Sequence, residues 1–351
     1  MIVLAAVYKG KKNIEIKDIP KPEIGDNEVL LKVKACSICG TDRKIYEYGH
    51  FKIKEKNEQI LGHEISGVIE EVGKKVGYYE KGMRIALAPN VGCGFCEVCR
   101  KGLEQLCLDY NAFGISWPGG FAEYVKIPEI AVRHGNLVEI PESLSYEEAA
   151  VIEPLSCCYN AYESLSVKPG ESLLIFGAGP MGILHLILNK HLGIGMTIVT
   201  DVDENRLKLS QGFGADYLIK SDSRIKKTIM NLTNGIGVDN IITAASVPEI
   251  QEEALELVAI NGKINFFAGL PAGKEEVKLN SNVIHYKQLK ITGTTGASLK
   301  QFRQTVKLSQ NTGCNLKKII TKKIGIEELS TIFEDISVFN NNMKIVVSFE
   351  R

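Results

Sequence analysis

The chain has 351 residues, with 42 Lys and Arg against 42 Asp and Glu, and 44% hydrophobic residues. That length exceeds one ordinary core and predicts two domains. The balanced charge gives no overall field for nucleic acid or anionic lipid, so neither is an expected partner.

The apolar start, Met1–Gly10, lacks a basic stretch and a small-residue cleavage site, so it reads as a first strand and not a leader. Short β-type runs broken by Gly and Pro then fill the first ~140 residues, among them Glu28–Ala35, Glu64–Val72, Arg84–Ala88 and Phe121–Ile127. A helix is expected from Ser145, the N-cap, with Glu148 three residues on. Beyond it the style changes to strand–helix alternation: Ser172–Phe176 then Met181–Leu192, Thr197–Thr200 then Glu204–Phe213, Val238–Ile242 then Pro248–Val258, and Lys263–Phe267. Such alternation predicts a parallel sheet wrapped by helices. After Ile291 a helix, Leu299–Ser309, and a strand, Lys344–Phe349, are expected to rejoin the first module. The apolar run Met181–Leu188 stops at Asn189 and Lys190, so no membrane span is expected.

The most specific feature is Cys93, Cys96, Cys99 and Cys107, spaced C-x2-C-x2-C-x7-C. Four sulfurs about 2.3 Å from one zinc fill its tetrahedron and leave no vacancy, so such a site holds a loop and does no chemistry. A [4Fe–4S] run has a shorter last gap and a proline after the final cysteine, whereas Leu108 follows here. Disulfides would allow three pairings, but bridges between such near neighbours brace little. Thiols kept for metal fit a reducing cytoplasm.

The segment SLLIFGAGPMG puts Gly177-x-Gly179-x-x-Gly182 between a buried strand and a helix. Gly177 permits the tight turn, Gly179 lets a pyrophosphate approach the backbone, and Gly182 lets helix and strand pack. The helix start, Pro180 and Met181 included, offers free N–H groups to phosphate. Asp201 ends the next strand nineteen residues after Gly182. A carboxylate there accepts ribose hydroxyls and repels a 2′-phosphate, which predicts NAD rather than NADP; Arg206 would soften the preference. The alternative is that Asp201 only caps the following helix.

Cys39-Gly-Thr41-Asp42, Gly62-His63-Glu64 and Glu153-Pro-Leu lie far apart in sequence. Cys, His and carboxylate can ligate zinc, and three protein ligands leave one position open. Singly, each has a bland reading: a buried thiol, a packed imidazole, a surface charge.

Together with the zinc signature Gly62-His63-Glu64-x2-Gly67-x5-Gly73-x2-Val76, the four-cysteine lobe and GAGPMG, these motifs follow the order of zinc-dependent medium-chain alcohol dehydrogenases, and the chain resembles their sorbitol (polyol) and threonine dehydrogenase branch. The resemblance implies a GroES-like β-domain (1–150 and 291–351, with the structural-zinc lobe at about 90–110) and a Rossmann doubly wound domain (151–290), with the active site between them. It implies two zincs per chain, NAD, a small alcohol or polyol substrate, and a homo-oligomer, dimer or tetramer. Cys39, His63 and Glu153 look like catalytic zinc ligands, and Glu64 looks like a carboxylate near or on the metal. Thr41 matches the hydroxyl that accepts the substrate proton, and Asp42 the group that orients a ligand imidazole. Cys36, Cys157, Cys158 and Cys314 are read as packing, and His50, His134, His185, His191 and His285 as surface or helix residues. Many relatives carry histidine five residues after the cysteine ligand, where this chain has Lys44. Arg43 and Lys44 either favour an anionic substrate or face water. Phe113 and Trp117 either wall the substrate cleft or pack under the β-domain. L-Threonine 3-dehydrogenase, sugar-phosphate dehydrogenase and a non-catalytic zinc- or nucleotide-binding scaffold remain as alternatives.

Overall fold

The structure is a computed structural model that describes residues 1–53, 58–310 and 314–349. It divides into two compact units, one of Met1–Ser156 with Ala297–Arg351, the other of Cys157–Gly296. No helix among the described residues is long and apolar enough to cross a membrane.

The first unit is built on a sheet ordered Leu137–Glu139, Arg84–Leu87, Glu64–Val72, Val29–Ser37, Lys344–Ser348 and Ile320–Ile324, with Tyr124–Ile127 also paired to Val29–Ser37. The last strand runs antiparallel to Val29–Ser37, with Val347 opposite Cys36 and Val346 opposite Ser37. Leu31, Val33, Ile65, Ile85, Phe121 and Phe333 form its core, and each is buried. Phe113 is fully enclosed in that core with Trp117 edge-on at 5.3 Å, so packing accounts for both aromatics. A second sheet pairs Ile2–Gly10 with Asn13–Pro20 and Gln59–Ile60.

Ser145 opens a helix through a reciprocal cap: its hydroxyl accepts the Glu148 N–H at 3.2 Å, and the Glu148 carboxylate accepts the Ser145 N–H at 3.2 Å. The helical stretch is not continuous, since Val151 separates Tyr146–Ala150 from Ile152–Leu165.

In the second unit six parallel strands are ordered Tyr217–Lys220, Thr197–Asp201, Leu173–Phe176, Val238–Thr243, Val258–Phe266 and Lys290–Gly293. In sequence order this is 3-2-1-4-5-6, the doubly wound arrangement, and its switch point lies at the end of Leu173–Phe176, where ligands bind such sheets. The runs LLIF and TIVTD are buried along their whole length, as strands of a sheet covered on both faces are.

His185 lies on the helix Pro180–His191, wholly enclosed, with no partner for either ring nitrogen. Its ring packs edge-on against Phe267 at 4.5 Å. Burial pulls its pKa from 6.5 down to about 3. The unfolded chain therefore takes up a proton that the folded chain refuses. The stability so contributed is complete above about pH 6.5 and drains away toward pH 3, by up to about 5 kcal/mol. His185→Leu should keep the fold, raise Tm at pH 7, and flatten the fall of Tm between pH 6.5 and 4. Equal acid slopes for the two proteins in a thermal melt series would contradict this.

Candidate metal centres and dinucleotide loop

The four cysteines hang between two short strands, Asn90–Val91 and Asn111–Ala112, that pair antiparallel. Their ligand atoms all lie within 4.8 Å of one another. Cys93 and Cys99 sulfurs stand 3.9 Å apart, and Cys96 and Cys107 sulfurs 3.8 Å. Sulfurs about 2.3 Å from a tetrahedral zinc are about 3.8 Å from each other, so the set fits the ion. Backbone N–H groups already point at these sulfurs: Cys96 N–H to Cys93 Sγ at 3.4 Å, Cys99 N–H to Cys96 Sγ at 3.4 Å, and Cys93 N–H to Cys107 Sγ at 3.5 Å. The N–H groups of Phe95 and Cys96 hold the Cys93 pKa down at about 7, while burial pushes Cys99 up to about 12. A cation that displaces the protons relieves that partly buried thiol.

The second cluster is Cys39, His63 and Glu64, whose ligand atoms also lie within 4.8 Å of one another. Cys39 is the N-cap of the helix Gly40–Tyr48, and the Asp42 carboxylate accepts its N–H at 2.9 Å. The other Asp42 oxygen accepts the Gly62 N–H at 3.1 Å and faces His63 Nδ1 at 3.3 Å. One wholly buried carboxylate thus ties the two segments that carry ligands, and it leaves Nε2 of His63 for a metal. Burial disfavours the His63 imidazolium, yet the Asp42 carboxylate and the Cys39 thiolate outweigh it, and the pKa is raised well above 6.5. A proton takes the place of the cation that this pair of anions calls for. Oε1 of Glu64 is enclosed and has no hydrogen-bond donor, so it is free to bind a cation. The donor set of thiolate, imidazole and carboxylate suits zinc.

Glu153 sits in the first turn of Ile152–Leu165 and is buried, but it is not one of this group; Glu64 is. Thr41, next to Asp42 in the first turn of the same helix, is partly exposed.

Sequence reasoning missed Lys344. Its side chain is only 4% exposed and that of Glu64 0%, and its ammonium donates to Glu64 Oε2 at 2.5 Å and to the Ile38 carbonyl at 3.0 Å. Burial alone would lower its pKa; Glu64, Cys39 and Glu153 reverse that and raise it. The available signal was a lysine opening the run KIVVS, just ahead of three consecutive apolar residues.

Arg43 and Lys44 do not act as a pair. The Arg43 guanidinium lies over the Phe339 ring at 4.9 Å, while Lys44 faces water.

In the other unit, Gly177 has φ +109°, outside the range that side chains favour. A Cβ on Gly182 would stand 1.8 Å from the Gly177 carbonyl oxygen, so only glycine lets helix and turn meet. Gly179 is the N-cap of Pro180–His191, with Pro180 and Met181 in the first turn. Its φ of −75° suits any residue, and a Cβ there would meet nothing nearer than Arg206 Nη1 at 3.8 Å. The space at Gly179 is therefore open for something other than protein, at a helix N-terminus that favours phosphate. Asp201 accepts the Ala178 N–H at 2.8 Å and the Asp203 N–H at 2.9 Å. Asp203, not Asp201, caps the helix Glu204–Ser210, accepting the Asn205 N–H at 2.8 Å. Each Asp201 oxygen keeps a lone pair for a hydroxyl donor.

Residues 25–142 match the family model for the alcohol dehydrogenase GroES-like domain, and residues 180–311 that for zinc-binding dehydrogenases. The chain is 36% identical to L-threonine 3-dehydrogenase of Pyrococcus horikoshii over 331 residues, 93% of this chain and 91% of that one. It is 34% identical to sorbitol dehydrogenase of Bacillus subtilis over 349 residues, 98% and 96% of the two. A crystal structure described as a zinc-binding dehydrogenase from Sinorhizobium meliloti 1021, bound to NADP, superposes with a TM-score of 0.89 at 27% identity, covering 99% of each chain.

Proposed function

Since the chain belongs to the zinc-dependent medium-chain alcohol dehydrogenases, we propose that it oxidises a secondary alcohol or polyol to the ketone with NAD+. The observation that supports this most is the convergence of Cys39, His63 and Glu64 beside Thr41. A scaffold that only bound nucleotide or structural zinc would have no use for that second, three-ligand cluster.

Bound there, zinc supplies Lewis acidity toward an alcohol oxygen, and NAD+ supplies the hydride acceptor. Asp42 fixes the His63 tautomer, so that Nε2 is the ligating atom. The resemblance implies both Glu153 and Glu64 at the metal; of the two, Glu64 is the one whose oxygen stands within 4.8 Å of the Cys39 and His63 ligand atoms. Lys344 holds one oxygen of Glu64 and leaves the other for the metal. Thr41 takes the alcohol proton and passes it outward. With Lys44 where relatives place histidine, that proton leaves through solvent. Asp201 receives the adenosine ribose hydroxyls, and Gly177, Gly179 and Gly182 with Pro180 and Met181 cradle the pyrophosphate. Arg206 flanks the loop. Asp201 disfavours a 2′-phosphate, so NAD+ should give the higher kcat/KM even though the neighbouring structure holds NADP.

A second reading, oxidation of L-threonine, is favoured by the 36% identity to threonine 3-dehydrogenase. A panel of sorbitol, galactitol 1-phosphate, butane-2,3-diol and L-threonine, followed by reduced-cofactor absorbance on the zinc-replete protein, separates the two. With Arg43 held by Phe339, a preference for the phosphorylated polyol is not expected. Failure of every alcohol with both cofactors would overturn the reading. A homo-oligomer, dimer or tetramer, goes with it and is measured by light scattering, and the nine free cysteines fit a reducing compartment such as the cytoplasm.

The glycines give a sharper check. Gly179→Ala should fold normally but lose about tenfold or more in NAD+ affinity, because its methyl fills the space a pyrophosphate needs. Gly182→Ala should lose stability by about 1–3 kcal/mol or more, since the clash is with backbone. Calorimetry and thermal melts measure both. Unchanged NAD+ binding in Gly179→Ala would contradict the assignment of the loop.

A further inference from the structure

A cavity of about 490 Å³ lies between the four-cysteine lobe and the helix Leu299–Ser309. That volume suits a small organic molecule. Lys300, Arg303 and Lys307, three and four residues apart, bring three cations to its wall from one side of the helix. Neither lysine has an ion-pair partner among the described residues. The Arg303 guanidinium donates to two neutral carbonyls, Gly135 at 3.0 Å and His134 at 3.4 Å, so its charge stays uncompensated. Glu104 is the one carboxylate in the lining, and its Oε1 is already taken by the Leu299 N–H at the start of the helix. Gln304 adds an enclosed amide oxygen with no donor.

We propose that this cavity binds a small multivalent organic anion that also carries hydroxyls, with phosphate esters as the fitting class. Phosphate oxygens would take charge-assisted hydrogen bonds from Lys300, Arg303 and Lys307. A ligand hydroxyl would satisfy Gln304. The occupant would bridge the lobe, through Cys99 and Glu104, to the helix, and so stiffen the metal-bearing loop. Chloride or inorganic phosphate is too small to span that volume and reach all three cations.

Fructose 1,6-bisphosphate titrated by calorimetry into the zinc-replete chain, at fixed ionic strength, is the test. The expected result is saturable binding with a rise in Tm, weakened at least about tenfold in Lys300→Gln/Lys307→Gln and restored in Lys300→Arg/Lys307→Arg. The double glutamine variant leaves every residue of the two metal clusters and the glycine loop in place, so its turnover of the best alcohol without the bisphosphate should match the parent. Equal affinity in parent and glutamine variant would overturn the proposal, because any binding would then be at the dinucleotide or alcohol site. So would binding to the parent no stronger than that of chloride.

Discussion

Cys39→Ser should leave a folded chain that holds one zinc instead of two and has lost at least about a thousandfold in kcat/KM. The size follows from the several kcal/mol that a Lewis-acid metal supplies to charge development at oxygen. The serine hydroxyl stays protonated at neutral pH and is a poor zinc ligand. It is, however, a better helix N-cap than a thiol, and position 39 caps the helix Gly40–Tyr48, so the local fold should survive. Asp42 keeps its bonds to the backbone of residues 39 and 62. Zinc by mass spectrometry, circular dichroism and steady-state kinetics on one preparation measure all three quantities. Two zincs with activity within tenfold of the parent would exclude Cys39 as a ligand.

Lys344→Met should cost about 3–5 kcal/mol of unfolding free energy, because it strands a buried carboxylate. Glu64 is wholly enclosed, and the Lys344 ammonium is the cation that neutralises it, with the Ile38 carbonyl holding that ammonium in place. Methionine fills the space but leaves a carboxylate buried beside Cys39. Adding Glu64→Gln removes the stranded charge and should return most of the loss. Urea denaturation of the parent, both single variants and the double variant measures the coupling as a cycle. A cost below about 1 kcal/mol for Lys344→Met would mean that the two groups do not depend on each other.

Local patterns were legible in the sequence; distant pairings were not. The cysteine lobe could be read because its ligands sit within one short segment and need only a tetrahedron. The glycine loop could be read because its three glycines keep a fixed spacing between a buried strand and a helix; at Gly182 the close approach of the Gly177 carbonyl leaves room only for glycine. The helix Gly40–Tyr48 went unseen, since Ile45 and Tyr46 are its only buried apolar side chains and its cap is a cysteine rather than Ser, Thr or Asp. Lys344 went unseen because its partner lies 280 residues away and a lysine at the start of a strand looks like an edge charge. His185 looked like an ordinary helix residue, and only the packing of Tyr162 and Phe267 around it shows that it is sealed from water. Glu64 and Glu153 both read as ligands in the sequence; that the ligand atoms of Cys39, His63 and Glu64 lie within 4.8 Å of one another depends on how distant segments fold together, and no spacing rule encodes that.

The central claim is that a second metal, with room for substrate, sits on Cys39 and His63. Anomalous diffraction at the zinc edge from crystals grown with zinc measures it most directly. The account predicts two peaks per chain, one inside Cys93, Cys96, Cys99 and Cys107, the other in bonding distance of Cys39 Sγ, His63 Nε2 and a glutamate oxygen. A single peak in the cysteine lobe, with nothing between Cys39 and His63, would contradict it.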